Sequence, residues 1–121
     1  MLFRSNIEIT APGELKQLEY SQRLKHRGRN LLARREGGST GRRLYETALA
    51  GGARALGRRI GALAPGHRAD IVVLDGAHAD LAAVTGDRWL DSYIFSAGKS
   101  AIDRVIVGGE EIGRASCRER V

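Results

Sequence analysis

The chain has 121 residues, a formal net charge of +6 and an isoelectric point near 10.2, values that fit one basic domain. Its one cysteine, Cys117, excludes an internal disulfide and a metal site built from cysteines. No apolar run approaches the roughly 20 residues of a membrane span and no secretory signal is evident. We therefore expect a cytoplasmic protein without a membrane partner.

A first helix is predicted over residues 11–26, APGELKQLEYSQRLKH. Pro12 suits a first helical turn, and Glu14 suits the positive end of the helix dipole. Helical spacing places several apolar side chains on one face of this segment. These are Leu15, Leu18 and Leu24, with Tyr20 beside them.

A second helix is predicted over residues 39–57, STGRRLYETALAGGARALG, where Ser39 or Thr40 can cap the N-terminus. Gly51 and Gly52 in its middle cost about 1 kcal/mol each relative to alanine. They are tolerable if another backbone packs closely there. The expected apolar side consists of Leu44, Ala48, Ala55 and Leu56.

Two strands are predicted in the second half of the chain, a buried one in residues 69–76 (ADIVVLDG) and another in 101–110 (AIDRVIVGGE). Residues 87–98, DRWLDSYIFSAG, are predicted to form a short helix between them. Two isolated strands do not make a stable sheet, so we expect the chain to belong to something larger.

The histidines offer one weak candidate for a metal site. None of the three is paired at the H-x-H, H-x-x-x-H or H-E-x-x-H spacing that places two imidazoles on one ion. His67 with Asp70 is the nearest candidate, beside a Pro65-Gly66 pair that suits a type II turn. A structural interpretation is favoured, in which Asp70 bonds backbone amides of that turn and His67 lies on the surface.

Nucleophile and phosphate-binding motifs are also weak. The serines lack a G-x-S-x-G context, and EGGSTGRR, residues 36–43, lacks the lysine and spacing of a phosphate loop. The serines considered are Ser39, Ser92, Ser96 and Ser100.

A basic segment, residues 23–43, holds eight lysines and arginines against one acid, Glu36. This charge pattern is typical of nucleic-acid binding, but no aromatic residue is interleaved for base stacking. We expect a solvated face and no nucleic-acid partner, with nucleic-acid binding kept as an alternative.

Four stretches resemble a known enzyme family. GALAPGHRADIVVLD, residues 61–75, resembles a C-terminal signature of the amidohydrolase superfamily, G-x-L-x-x-G-x-x-A-D followed by four apolar residues and Asp. Residues 14–30 (ELKQLEYSQRLKHRGRN), 41–57 (GRRLYETALAGGARALG) and 86–110 are similar to the closing part of formimidoylglutamate deiminases. The resemblance extends from about residue 6 to residue 110.

The resemblance implies an α/β fold, namely the incomplete C-terminal part of a (β/α)8 metal-dependent hydrolase barrel with strands of its small β-sandwich domain. Residues 6–60 would be the last helices of the barrel domain, and residues 61–110 the C-terminal part of the small domain. The family deaminates N-formimidoyl-L-glutamate to N-formyl-L-glutamate and ammonia in histidine degradation. It uses one metal ion, usually zinc, to activate water, and the resemblance suggests a homodimer.

No catalytic or metal-binding residue of the family can be assigned to this chain. The family's H-x-H pair is missing, and its ligand Asp, in a GSDSN motif, aligns with Arg4, whose charge would repel zinc. Substrate-binding residues stay unknown. We therefore expect no cofactor on this chain and no activity from it alone. A third possibility is an accessory domain that docks on a partner barrel.

The two ends of the chain resemble translated sequencing adapter. Residues 111–121 are encoded by GAG followed by ATC-GGA-AGA-GCG-TCG-TGT-AGG-GAA-AGA-GTG. Residues 1–5 are encoded by GTG-CTC-TTC-CGA-TCT when GTG starts translation. From its ATC onward the first series resembles a widely used short-read adapter, and the second resembles the other arm of the pair. We therefore expect residues 1–5 and 111–121 to be non-native.

Overall fold

The protein is a mixture of helices and antiparallel strands in which the helices come first, as predicted. The computed structural model describes residues 9–33 and 37–114, so the predicted non-native start and Cys117 lie outside the described residues. The elements in chain order are α1 (Ala11–His26), α2 (Thr40–Leu56), β1 (Ile71–Leu74), α3 (Arg88–Ser92), β2 (Ile102–Val107) and β3 (Glu110–Arg114).

Helix α1 has the predicted bounds, and only part of its predicted apolar face is buried. Thr10 caps the helix, because its side-chain oxygen accepts a hydrogen bond from the Gly13 N–H at 3.2 Å. Leu15 packs against the core, whereas Leu18 is 48% exposed and Leu24 is 82% exposed. Leu18 and Leu24 therefore lie on an exposed part of the helix.

Helix α2 is capped by Ser39, whose Oγ accepts a hydrogen bond from the Arg42 N–H at 2.9 Å. Leu44 is buried near the start of the helix, whereas Leu56 near its end is 64% exposed. No backbone among the described residues packs closely against Gly51 and Gly52. A Cβ added at either glycine would meet nothing within 4 Å.

Helix α3 widens into a π-helical turn, Tyr93–Ala97, and then into a 3₁₀ turn, Gly98–Ala101. The predicted short helix is therefore confirmed, and its apolar side faces α1 and α2. This segment supplies most of the small core. The buried apolar residues are Leu44, Leu81, Tyr93, Ile94, Ala97 and Ala101.

The sheet has the order β1-β2-β3, with both pairs antiparallel. Strand β3 was not predicted, and part of it falls in the tail that we expected to be non-native. Gly108 and Gly109 both have positive φ, the conformation that a two-residue hairpin with a type I′ turn requires. The prediction that β1 is buried is wrong, because Val72 is 40% exposed and the other three residues of the strand are only partly buried.

Among the described residues, no helix is long and apolar enough to cross a membrane.

Candidate functional site

The Pro65-Gly66 turn has the predicted geometry. Gly66 has φ of 80°, and the His67 N–H donates to the Ala64 carbonyl at 3.1 Å, which closes a type II turn. The turn precedes β1 and leads the chain into the sheet.

Asp70 stabilises a different turn from the one predicted. Its Oδ1 accepts hydrogen bonds from the Gly108 N–H at 2.8 Å and from the Arg68 Nε at 2.9 Å. Asp70 therefore fixes the β2–β3 hairpin, which lies 38 residues further along the chain, and not the Pro65-Gly66 turn. The Gly108 hydrogen bond, followed by that of Arg68, lowers the pKa of the Asp70 carboxyl below its ordinary value.

This lowered pKa predicts a pH-dependent contribution to stability. The contribution is complete above the ordinary pKa of 3.8 and is lost as the pH falls through the lower folded-state pKa. We expect wild type to melt at a higher temperature than Asp70→Asn near neutral pH, because the amide keeps an acceptor oxygen but loses the charge. The difference should vanish as the pH is lowered from about 6 to about 2 in thermal melts. A difference that stays constant over this range would contradict the prediction.

His67 was predicted to lie on the surface, but in the structure it is partly buried. Its Nδ1 is buried and has no hydrogen-bond partner in the described part of the chain. The side chain lines a shallow depression of about 280 Å³ with neighbours from the same loop. Asp70 is turned toward Gly108 and Arg68, so the structure does not join His67 and Asp70 into a metal site.

No metal centre is formed within residues 9–33 and 37–114. In these ranges, no three His, Cys, Asp or Glu side chains are grouped closely enough to hold an ion.

His78 and Ser100 form a hydrogen-bonded pair that resembles part of a nucleophilic site. His78 Nε2 lies 3.1 Å from Ser100 Oγ, and His78 Nδ1 accepts from the Asp80 N–H at 3.2 Å. Nδ1 is therefore unprotonated in neutral His78, and Nε2 donates to Ser100. Ser100 Oγ in turn donates to the Ala97 carbonyl at 2.6 Å. Since the hydroxyl proton points away from the imidazole, this pair ties two loops together and does not activate a nucleophile.

Glu19 is the charged side chain that the sequence analysis missed. It lies in the middle of α1 with 0% of its surface exposed. Its Oε1 accepts from Arg23 Nε at 2.8 Å and from the Leu31 N–H at 3.1 Å, and its Oε2 accepts from the Leu32 N–H at 3.1 Å. The carboxylate thus satisfies two backbone amides of the segment that follows α1.

Arg23 extends this cluster to the π-helical turn. Its guanidinium lies 5.3 Å from the ring centroid of Tyr20 and 5.6 Å from that of Phe95, and the two rings are stacked with centroids 6.0 Å apart. Arg23 Nη2 also donates to Asn30 Oδ1 at 3.1 Å. We call Glu19, Arg23, Tyr20 and Phe95 the Glu19 cluster. The i, i+4 spacing of Glu19 and Arg23 was the available signal for it.

The basic segment is partly neutralised in the fold. Arg23 is paired with Glu19, and Arg42 contacts Glu46 Oε1 at 2.8 Å and Asp87 Oδ1 at 2.7 Å. Arg34 and Arg35 of the same segment lie outside the described residues. Two of its cations are thus engaged within the protein, which leaves fewer for phosphate groups.

The glycine-rich stretch before α2 does not form a phosphate site. The first N–H groups of the helix are already used, since Arg42 donates to Ser39 and Gly41 donates to Asp91 Oδ1 at 2.7 Å. The adjoining depression of about 560 Å³ is lined by both Asp87 and Asp91. These two carboxylates would repel an anion, although Arg88 also lines the depression.

The model of the amidohydrolase family matches residues 4–112. The chain belongs to the amidohydrolase family. A formimidoylglutamate deiminase of Pseudomonas aeruginosa is 44% identical to it over 119 residues, which cover 96% of this chain and 26% of that protein. A 5-methylthioadenosine/S-adenosylhomocysteine deaminase of Pyrococcus abyssi is 43% identical over 67 residues, covering 55% of this chain and 15% of that protein.

A solved structure gives the same assignment. The crystal structure of an amidohydrolase from Brucella melitensis has a TM-score of 0.74 and 43% identity to this amidohydrolase chain, covering 88% of it and 23% of the other chain. The resemblance to formimidoylglutamate deiminases found in the sequence is therefore confirmed. The chain spans about a quarter of the length of the amidohydrolases that match nearly all of it.

Proposed function

We propose that this chain is the C-terminal part of a formimidoylglutamate deiminase, the metal-dependent hydrolase that converts N-formimidoyl-L-glutamate and water to N-formyl-L-glutamate and ammonia. The observation that carries the proposal is 44% identity over 96% of the chain. The nucleoside deaminase of Pyrococcus abyssi matches only 55% of the chain, so the deiminase accounts for more of it.

In this proposal the chain contributes architecture rather than chemistry. Residues 6–60 are the last helices of a (β/α)8 barrel, and residues 61–110 belong to its small β-sandwich domain. We place the zinc ligands of the enzyme in the rest of the polypeptide, since this sequence lacks the family's H-x-H pair and the described residues form no group of three possible ligands. No step of the reaction is assigned to a side chain of this chain.

The test compares ammonia release by the chain alone with release by a full-length polypeptide that carries it. We expect no turnover of N-formimidoyl-L-glutamate by the chain alone and turnover by the full-length, zinc-loaded polypeptide. The control substrate is S-adenosylhomocysteine, which should release no ammonia. Deamination of S-adenosylhomocysteine without turnover of N-formimidoyl-L-glutamate would overturn the assignment and favour a nucleoside deaminase.

The proposal extends to the assembly and the location of the enzyme. We propose that the full-length enzyme is a cytoplasmic homodimer, and light scattering of the full-length polypeptide tests the dimer. We propose no nucleic-acid partner, as the sequence analysis expects; of the basic segment, Arg23 and Arg42 are engaged with acidic side chains.

A further inference from the structure

Strand β1 lies at one side of the sheet, where it pairs with β2 and with no other strand of the described residues. We call the side of β1 away from β2 its outer edge. Two hydrogen bonds show which backbone groups face inward: the Gly109 N–H donates to the Ala69 carbonyl at 3.0 Å, and the Asp75 N–H donates to the Ala101 carbonyl at 2.8 Å. Since successive residues of a strand direct their N–H and C=O groups to opposite sides, those of Val72 point to the outer edge.

The outer edge of β1 carries none of the charged side chains that usually protect an exposed strand from pairing. The strand consists of the four apolar residues Ile71–Leu74, and Val72 is 40% exposed. Strand β3, at the other side of the sheet, differs in this respect. It carries three charged side chains, those of Glu110, Glu111 and Arg114. The unprotected side of the sheet is therefore that of β1.

The two carboxylates that flank β1 are engaged in bonds of their own. Asp70 Oδ1 accepts from the Gly108 N–H at 2.8 Å, which turns the carboxylate toward the β2–β3 hairpin. Asp75 Oδ1 accepts from the Ala77 N–H at 2.9 Å, in the turn that follows the strand. Neither carboxylate is therefore directed to block the outer edge.

We propose that the outer edge of β1 pairs with the same edge of a second copy of this chain. Two three-stranded sheets then join into one six-stranded antiparallel sheet across the dimer. An antiparallel pair of identical strands has two-fold symmetry, so one strand supplies both halves of the contact. The proposal concerns this chain as it stands and does not rest on the proposed function.

The register of this pairing follows from Val72, the most exposed residue of the strand. A two-fold axis at Val72 brings the two exposed valine side chains together, which removes the most apolar surface from water. The N–H of each Val72 then donates to the Val72 carbonyl of the other copy. On either side of this central pair, the Leu74 N–H faces the Asp70 carbonyl of the other copy.

Sedimentation equilibrium of the full chain tests the dimer. We expect the average mass of wild type to rise with concentration from 13.1 kDa toward twice that value. Val72→Lys should stay monomeric at concentrations at least about tenfold higher, because like charges directly opposite each other destabilise a strand pair. Ile112→Lys adds the same charge at a 65% exposed position of β3 and should associate like wild type. Circular dichroism verifies that both variants keep their strand content.

Disulfide cross-linking tests the register with substitutions that leave the charge unchanged. In a Cys117→Ser background, thiols introduced by Val72→Cys lie opposite each other, with Cα atoms about 5.5 Å apart, within the span of a disulfide. Thiols introduced by Val73→Cys lie on a diagonal about 7–8 Å apart, beyond that span. We therefore expect mild oxidation to give a covalent dimer with Val72→Cys and none with Val73→Cys.

Three results would overturn the proposal. The first is a wild-type mass that stays at that of one chain at every concentration. The second is a dimer that Val72→Lys leaves intact. The third is cross-linking by Val73→Cys that equals or exceeds that by Val72→Cys, since this would show association through another surface or register.

Discussion

Glu19→Ala is expected to lower the free energy of unfolding of the chain by about 3 kcal/mol, the largest loss that we expect from one side chain. The substitution removes the acceptor of the Leu31 and Leu32 N–H groups, each of which then lacks its partner in a partly buried place. It also leaves the guanidinium of Arg23 without its carboxylate. Urea unfolding followed by circular dichroism measures the loss.

Two variants define the origin of this loss. Glu14→Ala removes an exposed carboxylate from the first turn of the same helix and should cost less than about 1 kcal/mol. Glu19→Gln keeps one acceptor oxygen and places an NH₂ group among donors, so we expect a loss between those of the two alanine variants. If Glu19→Ala cost no more than Glu14→Ala, the cluster would not hold the segment after α1.

Gly41→Ala is expected to lower the free energy of unfolding by about 2–3 kcal/mol through overpacking. A Cβ at Gly41 would lie 2.6 Å from the Leu90 carbonyl oxygen and 2.7 Å from the Asp91 nitrogen. Both are backbone atoms of α3, which cannot turn aside like the end of a long side chain. The start of α2 would have to move away from α3, and the hydrogen bond from Gly41 to Asp91 would weaken.

Gly52→Ala is the matched control, since it makes the same chemical change in the same helix. Nothing lies within 4 Å of a Cβ at Gly52, so we expect a gain of about 1 kcal/mol from the helix propensity of alanine. Urea unfolding of both variants should therefore give opposite signs. If both variants had a lower free energy of unfolding than wild type, any added methyl group in α2 would be destabilising. The close approach at Gly41 would then not be the cause.

The local parts of the fold could be predicted from the sequence. Helix α1 occupies the predicted residues 11–26, and α2 lies one residue inside each predicted end. Ser39 and Gly66 act as expected because capping and turn geometry depend on neighbours within three or four residues.

Contacts between distant residues could not be predicted in the same way. Glu19 is buried because the chain returns to it 12 and 13 residues later, and helical periodicity carries no information about that return. Asp70 was assigned to the nearest turn, whereas its partner Gly108 is distant in sequence. Val72 and Leu24 are exposed although both belong to apolar patterns. Such a pattern indicates which face of an element favours burial, but not whether another part of this chain covers that face.

The Glu19 cluster limits where recombination can divide this chain during evolution. Arg23 and Tyr20 come from α1, whereas Phe95 comes from the segment between the strands, so one stack joins two parts separated by more than seventy positions. A cut near residue 60 would part these rings and divide the core between Leu44 and Ile94. Recombination should therefore pass the helices and the strands on together, and exchange of the helical part against a foreign sheet should give insoluble hybrids.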